Sequence, residues 1–102
     1  MPPLIADLEP SDGVEDHLWE HRLYVEDAYE VVDEGLYKVF PDPGHQDRVK
    51  MIGLDRGRRL LTFVLTRPNE SGVSRILTGW VSDAEEQASY GRPGGTQYAA
   101  AE

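Results

Sequence analysis

Arg59-Leu60-Leu61-Thr62-Phe63-Val64-Leu65-Thr66 is the stretch on which the fold turns. It is a near-continuous apolar run of strand length, far short of the roughly 18–20 residues of a membrane span. Such a run reads as a central strand buried on both faces. Upstream, Asp55-Arg56-Gly57-Arg58 forms a turn with Gly57 available for positive φ, and Arg48 to Leu54 alternates polar and apolar as far as Met51 before running apolar. Downstream, Pro68-Asn69-Glu70-Ser71-Gly72 is the next turn, and Val73 to Gly79 is the last strand. A shorter β-rich segment, Leu36 to Phe40, ends at Pro41-Asp42-Pro43-Gly44. Loops this short imply hairpins, so the reading is an antiparallel sheet of about four strands.

Helices flank this block. Val14, His17, Leu18 and His21 fall at i, i+3, i+4, i+7, one stripe of a first helix that Ser11 or Asp12 can cap. Val25, Ala28, Tyr29 and Val32 repeat the spacing from a start near Tyr24, and Gly35 suits a left-handed C′ position. Ser82-Asp83-Ala84-Glu85 has the S-x-x-E form of a capping box opening a last helix to about Tyr90, stopped by Gly91 and Pro93. The expected fold class is therefore α+β: two N-terminal helices, an antiparallel sheet and one C-terminal helix. Residues 1–13 read as an extended lead-in, with Leu4, Ile5 and Leu8 available for a short strand. Residues 14–90 read as a single domain and residues 91–102 as a flexible tail.

The chain has 102 residues, enough for one small domain with its own core, and no cysteine. Disulfide scaffolds, Cys-based zinc sites and thiol catalysis are excluded. The N-terminus lacks a basic n-region and an apolar h-region, so a soluble cytoplasmic protein without membrane contact is expected. The formal net charge of -9 argues against casual nucleic-acid binding. It is unevenly spread, however. Residues 1–34 hold eleven acids against the single base Arg22, residues 35–82 hold eight bases against four acids, and residues 83–102 hold four acids against Arg92. The basic middle coincides with the expected sheet.

Specific residues then meet this order of elements. Glu20-His21-Arg22-Leu23-Tyr24-Val25-Glu26-Asp27-Ala28 is similar to the K-H-G-V-S-F-E-E-A segment of the BrnT family of type II toxin–antitoxin toxins, with His21 and the E-x-A spacing matched, Glu20 in place of Lys and Arg22 in place of Gly. Asp47-Arg48 followed by Met51-Ile52-Gly53 resembles the family's D-E-R…I-G strand, and Gly57-Arg58 followed by Leu60-Leu61 resembles its G-R-x-L hairpin. Arg75-Ile76-Leu77-Thr78-Gly79 resembles R-I-I-S-A, and Glu86 and Tyr90 fall where the family's last helix carries E and Y. The resemblance spans roughly residues 14–90. One departure stands out: the family's R-I-I-S-A-R ends in Arg, and Trp80 occupies that position here.

The resemblance implies a RelE-like fold and an endoribonuclease that needs no metal and no cofactor, neutralised by a cognate antitoxin of ribbon-helix-helix type. Such a reaction needs a base for the 2′-OH, an acid for the departing 5′-oxygen and cations on the phosphorane. Arg75 aligns with the family's strand arginine and has the guanidinium fork that matches phosphate; a strand-end ion pair is its plainer use. His21 has the near-neutral titration of an acid–base group, or it simply edges the apolar stripe beside Leu18. Tyr90 can orient a phosphate or close the last helix on the sheet. For RNA binding the candidates are Arg48 and Lys50, which alternate onto one strand face, Arg58 and Arg59 at a hairpin, Thr78 as a hydrogen-bond donor, and Trp80 as a platform for an unpaired base. His17 and His21 have the i, i+4 spacing of a metal pair, but Leu18-Trp19 stand where an H-E-x-x-H site needs its Glu, so no metal is expected. His45 lies in a Pro/Gly turn and reads as solvated. The alternative function is a non-catalytic module on the same fold whose acidic helices bind a basic protein.

Overall fold

Leu61, Phe63 and Leu65 project to one side of β4 (Leu60–Thr66), Thr62 and Val64 to the other, and all five are buried. A strand covered on both faces needs neighbours on both edges. The computed structural model, which describes residues 5–92 and the backbone of residues 96–98, shows them. β4 pairs antiparallel with β3 (Arg48–Leu54) and with β5 (Val73–Val81). β3 pairs antiparallel with β2 (Tyr37–Pro41).

The fold is α+β, but the sheet is larger and less uniform than the hairpin count implies. Among the described residues it has six strands in the order β1-β5-β4-β3-β2-β6. β1 (Asp7–Pro10) runs parallel to β5, with Asp7 opposite Val73 and Pro10 opposite Ile76. Short loops dictate the direction only of consecutive strands, and β1 meets a strand more than sixty residues later in the chain, so the antiparallel expectation does not extend to it. β6 (Thr96–Tyr98) pairs antiparallel with β2, so part of the segment expected to be a flexible tail is an edge strand. Residues 1–4, 93–95 and 99–102, which include Leu4 of the lead-in and the rest of that tail, lie outside the described residues.

One face of the sheet, the inner face, carries the core. α1 (Val14–Trp19) contributes Val14 and Leu18, and α2 (Val25–Glu34) contributes Ala28 and Val31. They pack with Leu23 on Met51, Leu61, Phe63, Leu65 and Ile76. Each large side chain so buried contributes about 1.5–3 kcal/mol. Two glycines permit close approaches, Gly53 to α2 and Gly79 to the neighbouring strand β4. A Cβ on Gly53 would lie 2.5 Å from Tyr37 Cβ and 2.8 Å from Val31 Cγ1, and one on Gly79 would enter the Phe63 ring that crosses over it.

Local signals mostly shift by one or two residues. α1 is N-capped by Gly13 (φ 77), not by Ser11 or Asp12; the Ser11 hydroxyl donates to Ile76 O instead. α1 stops at Trp19, so His21 belongs to the turn after it. That turn is a Schellman motif: Leu23 N–H donates to Leu18 O, Arg22 N–H to Trp19 O, and Arg22 takes the left-handed position at φ 60. α2 ends as expected at Gly35 (φ 72). In the β3–β4 turn the left-handed residue is Arg58 (φ 71) and not Gly57. α3 (Ala84–Gly91) is capped by Asp83 paired with Glu86, one residue later than the S-x-x-E reading, because Ser82 is held in the sheet. Ser82 N–H donates to Leu60 O, and its hydroxyl shares a buried hydrogen bond with Thr62. Among the described residues no helix is long and apolar enough to cross a membrane.

Candidate functional site

Alternation sends Arg48, Lys50 and Ile52 of β3, Thr62, Val64 and Thr66 of β4, and Thr78 and Trp80 of β5 to the outer face, the side away from α2. A register shift at Val64/Leu65 leaves Leu77 as the extra residue of a β-bulge, which bends β5 beside Thr78.

α3 closes part of this face through one carboxylate. Glu86 is 7% exposed and accepts the Trp80 indole N–H at 2.8 and 3.1 Å and the Asp83 backbone N–H at 2.9 Å. Lys50 Nζ lies 3.7 Å from the same carboxylate and 5.8 Å from the centre of the Trp80 ring. The His21 imidazole lies 6.1 Å from that ring, centre to centre. Trp80 thus spends its single donor on α3 and keeps its ring partly open.

The remainder of the outer face is a groove of about 800 Å³. Its floor is Arg48, Lys50, Val64, Thr78 and Trp80. Its walls include His17, on α1, and His45, in the β2–β3 turn. That turn is shaped by Asp42, whose carboxylate accepts the Gly44 N–H at 3.0 Å. Among the described residues Arg48 has no ion-pair partner, so its guanidinium is uncommitted. Four of the residues expected to bind RNA, Arg48, Lys50, Thr78 and Trp80, therefore come together. His17 and His45 join them, although the sequence offered only a discounted metal spacing for the first and a Pro/Gly turn for the second.

The other candidates stand elsewhere. Arg75 shares the outer face but is held 3.8 Å from Glu9 on the neighbouring edge strand, both side chains being exposed. Its backbone N–H donates to Thr66 Oγ1, opposite Arg48, so it lies along the groove's side of the sheet without lining the groove. Tyr90 serves the fold: its hydroxyl donates to Leu36 O at 2.9 Å, and burial pushes its pKa up. Lys38 Nζ donates to Tyr90 O and Arg92 O, placing a cation at the C-terminus of α3. Arg59 is engaged at the other end of the hairpin, 2.7 Å from Asp55 and 3.1 Å from Asp27 of α2. Burial raises the Asp55 pKa, but hydrogen bonds from the Arg59 backbone and guanidinium, with its charge, outweigh that and leave it lowered. Arg58 lies in the same turn, remote from the groove lining. Among the described residues no three His, Asp or Glu side chains converge to hold a metal ion.

Chemically, the groove offers the Arg48 guanidinium, a Lys50 ammonium that already faces the Glu86 carboxylate, a hydroxyl donor, an indole face and two imidazoles, together with the carboxylates of Asp12 and Asp42. No protein-family model matches the chain, and no curated protein matches it either.

Proposed function

We propose that the protein is the toxin component of a type II toxin–antitoxin pair, a metal-independent endoribonuclease of BrnT type with a RelE-like layout, neutralised by a cognate antitoxin. The observation that carries the reading is the outer groove. A chain of net charge -9 gathers Arg48 and Lys50 with Thr78, Trp80, His17 and His45 on one concave surface, which Asp12 and Asp42 also line, while its acidic helix α2 packs on the opposite face of the sheet.

In this reading Arg48 and Lys50 hold the non-bridging phosphate oxygens, and the partly open Trp80 ring stacks on a base, worth about 1–3 kcal/mol. His17 and His45 exchange the protons: one takes the 2′-OH proton as that oxygen attacks phosphorus, and the other supplies a proton to the departing 5′-oxygen. His21, beside Trp80, and Arg75, across Thr66 from Arg48, border the bound strand. Tyr90 holds α3 in place.

Two details of the motif resemblance acquire physical reasons. The position where the family segment has Gly is the left-handed residue of the α1 Schellman turn, here Arg22. The Gly of the I-G strand is Gly53, where α2 approaches too closely for a Cβ.

Induced expression in a bacterial host tests the reading. Growth should arrest, and both His17→Ala and Arg48→Ala should relieve the arrest without lowering the amount of soluble protein. Unimpaired growth with abundant soluble wild-type protein would contradict it and favour the non-catalytic module.

A further inference from the structure

A second concave surface, sharing no lining residue with the groove, lies between α1 and α2. It encloses about 540 Å³. Its rim carries Glu15, Asp16 and Glu26, its walls are Trp19, Tyr24 and Tyr29, and among the described residues no Lys or Arg lines it, although Arg22 stands against the Trp19 ring.

Trp19 and Tyr24 are 48% and 57% exposed, and their rings meet at 5.5 Å. Single exposed aromatics are ordinary. Two in contact at the mouth of one cleft, ringed by acids, form a patch with a definite complement. The negative field reaches into the cleft: the Tyr29 pKa is pushed up, first by burial and then by Asp7, Glu26 and Glu9.

The chain itself shows what such a surface attracts. Arg22, the single base of residues 1–34, holds its guanidinium 4.7 Å from the centre of the Trp19 ring. It does so from a left-handed backbone position that an arginine adopts at a cost.

We propose that the α1–α2 cleft is a docking site for a cationic segment of a partner protein, which sets a lysine or arginine side chain against Trp19 and Tyr24 and among the carboxylates of Glu15, Asp16 and Glu26. Charge complementarity selects this occupant. A nucleic-acid backbone is repelled by the rim, and a second copy docked symmetrically would bring the same carboxylates face to face. Aromatic rings with nearby carboxylates bind cations by quadrupole attraction and Coulomb attraction together. The inference goes beyond the ribonuclease reading and holds whether or not the groove cleaves RNA.

The test uses the full chain and an end-blocked dodecapeptide alternating arginine with alanine and leucine, beside the same peptide with glutamate for arginine. Binding is followed by calorimetry and by amide chemical shifts. The arginine peptide should bind and the glutamate peptide should not. Trp19→Ala, and separately Asp16→Asn with Glu26→Gln, should each weaken binding about tenfold. The charge-matched pair Glu70→Gln with Glu85→Gln, outside the cleft, should bind as wild type. All of these substitutions are on exposed side chains or the cleft rim, and unchanged thermal unfolding would show that each variant folds. Binding that ignores Trp19, or falls equally with the control pair, would overturn the proposal in favour of diffuse charge attraction. Shifts at the cleft on adding RNA, or a dimer that Trp19→Ala dissolves, would overturn it in favour of those occupants.

Discussion

The two faces of the sheet are built from the same strands and do different work. The inner face is apolar: Met51, Leu61, Phe63 and Leu65 meet Val14, Leu18, Ala28 and Val31, and Gly53 stands where α2 comes close to the sheet. The outer face is only partly covered, by a helix held through polar contacts of Glu86, and beside it lies an open groove of cations, imidazoles and an indole that also carries the carboxylates of Asp12 and Asp42. Stability should therefore reside on the first face and binding on the second. The lesson for charge is similar. A net charge of -9 first looks like a veto on polyanions, yet the acidic helix α2 packs against the inner face and the basic strand residues Arg48 and Lys50 face outward.

The sharpest way to break this division is Gly79→Ala. The new methyl would enter the Phe63 ring and lie 3.0 Å from Thr62 O, so the inner layer must move. A loss of about 2–3 kcal/mol is expected in urea unfolding. A loss below about 0.5 kcal/mol would mean that the inner face is not close-packed there.

Asp55→Asn comes next. Asp55 is buried and accepts from the Arg59 backbone and guanidinium, and Arg59 reaches on to Asp27 of α2. Removing the charge should cost about 1–3 kcal/mol at neutral pH. Because the folded pKa is lowered, this stabilisation is present above the unfolded value near 4 and is lost as pH falls through the folded value. The gap between wild type and variant should narrow steadily below about pH 4 in thermal scans. A gap unchanged with pH would remove Asp55 as the hairpin's anchor.

How much of this was legible in the chain depends on the range of the interaction. The run from Arg59 to Thr66 identified β4 as central, because burial on both faces leaves its mark on every residue. The alternation that puts Arg48 and Lys50 on one face is equally local. The parallel partnership of β1 and β5 is not, since nothing near Asp7 records which distant strand it will meet. Turn residues misled for a related reason. Gly57 sits beside the left-handed position without occupying it, and Arg22 occupies one where glycine would be the cheaper residue. In the site, Thr78 and Trp80 were candidates by residue type, a hydroxyl donor and a stacking ring, and β5 runs two residues past the expected Gly79 to carry Trp80 onto the outer face. That His45 and His17 border one groove depends on where the β2–β3 turn and α1 come to lie, and the role of Glu86 comes from the landing place of α3. Only the assembled fold carries those placements.

A smaller effect separates backbone from side chain on the helical side. Arg22→Gly relieves a left-handed arginine and gives up the contact with Trp19. The first term should prevail, raising stability by about 0.5–1 kcal/mol in urea unfolding. A destabilised variant would show that the cation over Trp19 outweighs the strain.

The smallest expected effect on stability is the most informative about function. Arg48→Ala removes an unpaired guanidinium from the open groove and should leave stability within about 0.5 kcal/mol of wild type. The same substitution should weaken binding of a single-stranded RNA about tenfold and reduce the salt dependence of that binding. A loss of stability comparable to that of Gly79→Ala would collapse the distinction between the faces.

The central claim, that the outer groove cleaves RNA with this chain's own side chains, is tested most directly by incubating purified protein with single-stranded RNA in excess EDTA and identifying the product ends. Cleavage to 2′,3′-cyclic phosphate and 5′-hydroxyl ends is expected, abolished by His17→Ala and by His45→Ala with thermal unfolding unchanged. Intact RNA with folded wild-type protein, or cleavage that survives both substitutions, would contradict it.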